Sequence, residues 1–181
     1  KAFGYHTYDS VRPVGDTDLY DIASITKIAS AAPVFMEMVD RKLIKLHKKL
    51  GRYLDIPLLY DDKKNLKIID IFTHQAQLFP WIPFWQSFID KDSLDMSIFS
   101  HYVTEKYDSK VSNDLFFNSN YIDTIYKIIC ETPLLEKKEY KYSDLGFYLM
   151  HPIVEKLLLS DVENYVYDKF YKPIEAFRIT Y

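Results

Sequence analysis

The chain of 181 residues fits one domain or a large piece of one, and 48% hydrophobic with 27% charged residues suffice for a core and exclude global disorder. A net charge of −3 excludes a domain-wide basic footprint for nucleic acid. With 4 Gly, 1 Cys and 5 scattered His, the chain cannot assemble a glycine-rich phosphate loop or an internal disulfide, and neither a metal site nor a cofactor is expected.

Lys1–Tyr8 alternates as a strand does, and the abrupt opening Lys1-Ala2-Phe3-Gly4, with no signal peptide, reads as the middle of a strand in a mature or trimmed piece. Residues 9–21 hold Pro13, Gly15 and several Asp and read as a loop. From Ser24 to about Asp40 the pattern predicts a helix, with Ile25, Ile28, Ala29, Ala32, Phe35, Met36 and Val39 on one face. Ala31, Val34 and Met38 make its far side apolar too, so burial nearly all round is expected, with a kink or break at Pro33. Lys42–Tyr53 reads as a turn and short helix, Asp61–Lys64 as a charged loop, and Leu66–His74 as another short helix.

Residues 78–92 carry both Trp81 and Trp85 and read as an ordered aromatic loop, and residues 93–118 show no decisive pattern. Tyr121–Glu131 is amphipathic, with Ile122, Ile125, Tyr126 and Ile129 aligned, and Cys130 reads as a small buried residue. Ser143 or Asp144 can cap a helix through Leu158, bent at Pro152, and a last helix is expected near Asp161–Phe170. No run of about 18 apolar residues exists that would span a membrane.

Chemistry enters at Ser24-Ile25-Thr26-Lys27. Residues i and i+3 share one helical face, so the Lys27 amine can reach the Ser24 hydroxyl, and the helix N-terminus offers N–H groups to an oxyanion. Burial of Lys27 either lowers its pKa or demands a carboxylate partner. The spacing alone is weak, because roughly one S-x-x-K is expected by chance in such a composition.

The surroundings carry more. Tyr20-Asp21-Ile22-Ala23-Ser24-Ile25-Thr26-Lys27 resembles the nucleophile segment of the serine β-lactamase and penicillin-binding-protein superfamily, in its class C and esterase-like branch. Ile71-Phe72-Thr73-His74-Gln75-Ala76-Gln77-Leu78 is similar to that branch's LLTHTSGL element, and Tyr142-Ser143-Asp144-Leu145-Gly146-Phe147-Tyr148-Leu149 to its YSNLGYxLL element. The three stand in the family's order across most of the chain. The combination looks most like β-lactamase-like domains fused behind glycoside hydrolase domains in secreted bacterial proteins.

The resemblance implies an α+β, β-lactamase/transpeptidase-like fold and an acyl-enzyme mechanism. Ser24 would attack a carbonyl, Tyr142 would act as base with its phenolate favoured by the Lys27 charge, and the Ser24 N–H would serve the oxyanion. Asp144 stands where the family has Asn. An ionised Asp accepts but cannot donate, so it could instead pair with Lys27 and hold it charged. Gln77 replaces a glycine, so the turn there could differ. The family's K-T-G or H-x-G strand element does not follow Tyr142. Residues 1–181 are therefore expected to be a partial domain, a short N-terminal strand plus the helical region, with the closing strands absent.

The implied function is a serine hydrolase acting on an amide, ester or β-lactam, with a small-molecule or cell-wall-derived substrate and a periplasmic or extracellular location. The alternative is an impaired accessory domain of a larger secreted protein that holds glycan or peptide on Trp81 and Trp85. Exposed loop aromatics can stack on sugar faces, though they more often cover a core.

Overall fold

The structure, a computed structural model, describes residues 1–54 and 61–179. Its helices are α1 (Ala32–Asp40), α2 (Asp61–Lys64), α3 (Ile68–Phe72), α4 (Tyr121–Glu131), α5 (Leu145–Leu158) and α6 (Val162–Val166). Its strands are short: β1 (Ile89–Asp90), β2 (Ser93–Leu94), β3 (Phe99–Ser100), β4 (Ser109–Ser112) and β5 (Leu115–Phe117). The chain divides into two compact units, residues 1–34 with 161–181 and residues 35–160.

In the first unit the expected N-terminal strand is reduced to one antiparallel bridge, Tyr5 with Pro13. The segment folds back on itself. Gly4 takes a left-handed φ of +76°, which its missing Cβ makes cheap, and its C=O accepts the Val14 N–H at 3.0 Å. The Asp18 carboxylate pins this return by accepting from the Gly15 N–H at 2.6 Å and pairing with His6 Nε2 at 2.7 Å. Arg178 reaches the same loop and donates to the carbonyls of Asp16 and Thr17.

The helix after Ser24 departs from its expected face. Lys27–Ala31 forms a π-turn, with the Ala32 N–H bonded to the Lys27 C=O five residues back. The wider turn rotates the stripe, because more than 3.6 residues now complete one circuit. Ser30, Val34 and Met38 line the buried face, whereas Ile28 and Met36 are each 73% exposed. All-round burial of residues 25–39 is therefore corrected to one buried face.

In the second unit α5 packs against both α3 and α4. The apolar positions Leu145, Leu149 and Ile153 of α5 recur every four residues and are fully buried, each side chain contributing about 1.5–3 kcal/mol. Gly146 permits the close approach to α3: a Cβ there would meet Ile71 Cγ2 at 2.5 Å. Helix α4 spans the expected residues and buries Ile129 and Cys130.

The charged string at 61–64 is helical instead of a loop, and Lys63 is only 1% exposed. Its Nζ donates to the Thr132 C=O at the end of α4 (2.5 Å) and to Asp62 Oδ2 (3.0 Å). A lysine on C-terminal carbonyls complements the helix dipole, and that use compensates its burial.

Residues 93–118 hold an antiparallel sheet in the order β3-β5-β4, with β1 and β2 forming a separate hairpin. Strands of two to four residues are too short to display a period, hence their invisibility in the sequence. Phe88, Phe99, Phe117 and Tyr121 cluster with centroids 5.4–6.0 Å apart, tying this sheet to the start of α4.

Candidate active site

Ser24 enters its helix through a strained turn. Ala23 has φ +45°, in the left-handed region where a Cβ costs about 1–2 kcal/mol. The Asp21 carboxylate holds it there by accepting the Ala23 N–H at 2.7 Å. Three successive short-turn bonds (Ile25 N–H to Ile22 C=O, Thr26 to Ala23, Lys27 to Ser24) then wind the chain into the π-turn. Strain and π-turns both gather at functional sites.

Within that turn Lys27 Nζ donates to Ser24 Oγ at 3.1 Å, in the first unit. The direction of the bond has a chemical consequence. An ammonium donating to Oγ stabilises an alkoxide there, and it leaves the hydroxyl proton to be taken by another base. Cys130 is a poor rival nucleophile, since burial holds its thiol above the ordinary range and disfavours the thiolate.

Tyr142 and Asp144 lie in the second unit, where residues 135–144 run along the segment that follows α3. The Lys141 N–H donates to the His74 C=O (2.8 Å), and the Asp144 N–H to the Pro80 C=O (2.8 Å). Ser143 is buried. Its N–H donates to His74 Nδ1 at 3.1 Å, its Oγ donates to the Phe79 C=O at 2.5 Å, and the same Oγ accepts the Leu145 N–H at 3.2 Å. Of the two expected caps of α5 it is thus Ser143 that bonds the helix, while Asp144 occupies the cap position without a side-chain cap bond. The Tyr142 ring is 39% exposed and lies against the His74 imidazole, with centroids 4.4 Å apart.

Gln77 takes a left-handed φ of +59°. Its Nε2 donates to the Leu135 C=O at 2.6 Å, and its own C=O accepts the Leu135 N–H at 2.7 Å. A side-chain bond thus offsets the strain a glycine would avoid. Trp81 and Trp85 are 59% and 55% exposed, and Trp81 follows directly on Pro80, whose carbonyl holds Asp144.

The structure therefore brings Ser24 to Lys27, and Tyr142 and Asp144 to the chain leading into Trp81. Sequence reasoning did not single out His74, which contacts Tyr142 and Ser143. It stood inside the quoted Thr73–Leu78 element, but its contact with Ser143 crosses 69 positions and leaves no trace in spacing.

The Beta-lactamase family profile matches residues 1–181. The N-acetylmuramyl-L-alanine amidase of Bacillus subtilis (strain 168) is 26% identical in an alignment of 163 positions that covers 86% of this chain and 32% of that protein. The chain thus spans about a third of that relative's length. Among solved structures, FmtA from Staphylococcus aureus superposes with a TM-score of 0.64 at 15% identity, covering 97% of this chain and 40% of that one. The penicillin-binding protein from Bacillus halodurans gives 0.64 at 16%, covering 97% and 46%. The class C β-lactamase from Rhodobacter sphaeroides gives 0.59 at 17%, covering 95% and 39%. The likeness extends over less than half of each solved chain, so what is shared is part of a β-lactamase/transpeptidase-like fold. With all 181 residues matched, the chain belongs to the Beta-lactamase family.

Proposed function

We propose that this chain carries the nucleophile of a serine hydrolase that works through an acyl-enzyme. The observation that carries the reading is the 3.1 Å bond from Lys27 Nζ to Ser24 Oγ behind the strained Ala23. Tyr142 takes the Ser24 hydroxyl proton, and Oγ bonds to the substrate's carbonyl carbon. The resulting oxyanion is held by the Ser24 N–H. Collapse breaks the bond to the leaving group, which departs with a proton from Tyr142, and water then hydrolyses the ester in the same sense. The Lys27 charge favours the alkoxide on Ser24.

The substrate is an amide, ester or β-lactam. An amide in a cell-wall-derived glycopeptide is favoured by the likeness to the Bacillus subtilis N-acetylmuramyl-L-alanine amidase, and an extracytoplasmic location goes with it. Trp81 and Trp85 are exposed and available to stack on its sugar, and Trp81 follows Pro80, whose carbonyl holds Asp144. That exposure also supports the second reading, a glycan- or peptide-binding accessory domain of a larger secreted protein, in which the glycoside hydrolase fusion would find its place.

The test is incubation of the 181-residue chain, and of a longer polypeptide containing it, with a chromogenic β-lactam, a p-nitrophenyl ester and a muropeptide. Intact-mass analysis is expected to find an acyl adduct on Ser24 that Ser24→Ala abolishes. Glycopeptide binding by both forms with no adduct in either would favour the accessory domain.

A further inference from the structure

We infer that His74 is the positioning residue of Tyr142, holding it at three points from a single side of the chain. The inference deepens the hydrolase reading and rests on Tyr142 being its base.

The first point is the ring. The imidazole lies 4.4 Å from the Tyr142 ring centroid at 32°, with Phe147 at 5.9 Å and Tyr140 at 6.0 Å bracketing it. A tyrosine with one face against another ring loses the freedom to swing about χ1 and χ2. The second and third points flank Tyr142 on the backbone. The Lys141 N–H donates to the His74 carbonyl at 2.8 Å, and the Ser143 N–H donates to His74 Nδ1 at 3.1 Å. A backbone N–H can only donate, so Nδ1 is the acceptor and the ring proton of the neutral imidazole sits on Nε2.

His74 reaches this pose because its φ is +55°, a left-handed conformation for which His, Asn and Asp are the most tolerant residues after Gly. The strain is stored where the chain leaves α3, a placement expected of a residue that fixes a reacting group.

The test separates the ring from the acceptor. His74→Asn keeps an acceptor near Nδ1 and tolerates the left-handed backbone but removes the ring. His74→Phe keeps the ring and removes the acceptor, and His74→Ala removes both. Single-turnover acylation of Ser24 by a β-lactam is measured on the longest polypeptide that acylates, alongside equilibrium binding by Ser24→Ala forms of each variant. His74→Ala is expected to lower the acylation rate constant roughly 10- to 100-fold while binding changes less than about twofold, since misplacing a group by an ångström costs rate rather than affinity. His74→Asn and His74→Phe are expected to fall between, and His74→Asn covers the case in which the alanine form does not fold.

The decisive background is Tyr142→Phe. With the hydroxyl gone, His74→Ala is expected to remove less than about twofold further, because residues acting as a unit are not additive. An equal loss in both backgrounds would reduce His74 to a structural residue and overturn the inference. Wild-type acylation by His74→Ala would do the same, with the hydrolase reading intact if Ser24→Ala abolishes acylation and Tyr142→Phe slows it. Acylation indifferent to Ser24→Ala or Tyr142→Phe would sink the hydrolase reading, and this inference with it.

Discussion

The Tyr171 hydroxyl donates to the Ala29 carbonyl at 2.5 Å, and Ala29 lies four residues before Pro33. Pro33 has no N–H to offer its i−4 carbonyl, and its ring crowds that position. The helix answers in two ways: it widens into the π-turn Lys27–Ala31, and it takes a donor from a second π-turn, Tyr167–Tyr171. The turn that carries Lys27 is thus held by a residue 142 positions away. Tyr171→Phe is expected to cost about 1–2 kcal/mol in urea denaturation, the usual loss for a carbonyl stripped of its donor. In a Pro33→Ala background a backbone N–H returns, and the cost should shrink towards zero. Equal costs in both backgrounds would show that the hydroxyl does not replace the missing N–H.

Gln77 poses a comparable exchange between strain and bonding. Gln77→Ala keeps the left-handed backbone at +59° and loses the bond to Leu135, so a loss of about 1–2 kcal/mol is expected. Gln77→Gly loses the same bond but relieves the strain, and is expected to stay within about 0.5 kcal/mol of wild type. Thermal melts of the two variants decide the matter. Alanine no worse than glycine would mean the backbone there is not strained.

These two sites mark what could be read beforehand. Helix α4 was legible to the residue because a single amphipathic pattern decides it, and the reach from Lys27 to Ser24 followed from i, i+3 spacing. The face of the helix after Ser24 was not, because one wide turn rotates everything beyond it and no residue pattern announces a π-turn. Lys63 hid in a charged string because its partner, the Thr132 carbonyl, lies 69 positions on. The left-handed backbone of Gln77 was not legible, because the bond that offsets its strain goes to the Leu135 carbonyl 58 positions away. The clamp of His74 on both neighbours of Tyr142 is tertiary throughout, so sequence could offer only the motif that contains it.

Gly146 gives the family-like Y-S-D-L-G element a packing reason. A methyl there would sit 2.5 Å from Ile71 Cγ2 and 3.4 Å from Leu78 Cδ1, inside the contact between α3 and α5. Gly146→Ala gains helix propensity of about 1 kcal/mol, yet the overlap should outweigh it and leave a net loss of about 1–2 kcal/mol. Because α3 leads into His74 and α5 follows Asp144, the same substitution is expected to broaden the Tyr142 and His74 ring resonances. A variant as stable as wild type with unchanged ring resonances would show that α3 and α5 can part at no cost.

Asp18 sets an acid limit on the first unit. The Gly15 N–H, then His6, hold its carboxyl below the ordinary 3.8, against a smaller opposing effect of burial. The folded state therefore binds a proton on Asp18 less readily than the unfolded chain does. Stability from this group is fully present above the ordinary carboxylate value and is lost as pH falls through the lower, folded one. The loss should be local, because Asp18 joins the return of residues 4–14 to His6 and Gly15. Hydrogen exchange at the Gly15 amide is expected to accelerate on acidification below 3.8 before the core amides of Leu149 and Ile153 do. Asp18→Asn keeps an acceptor for Gly15 but cannot titrate. Its Gly15 amide should exchange faster than wild type at neutral pH and show no acid step of its own. An acid step of unchanged size in Asp18→Asn would assign the transition to another carboxylate, Asp9 being the nearest in sequence whose acidity is also enhanced, through the Thr7 hydroxyl.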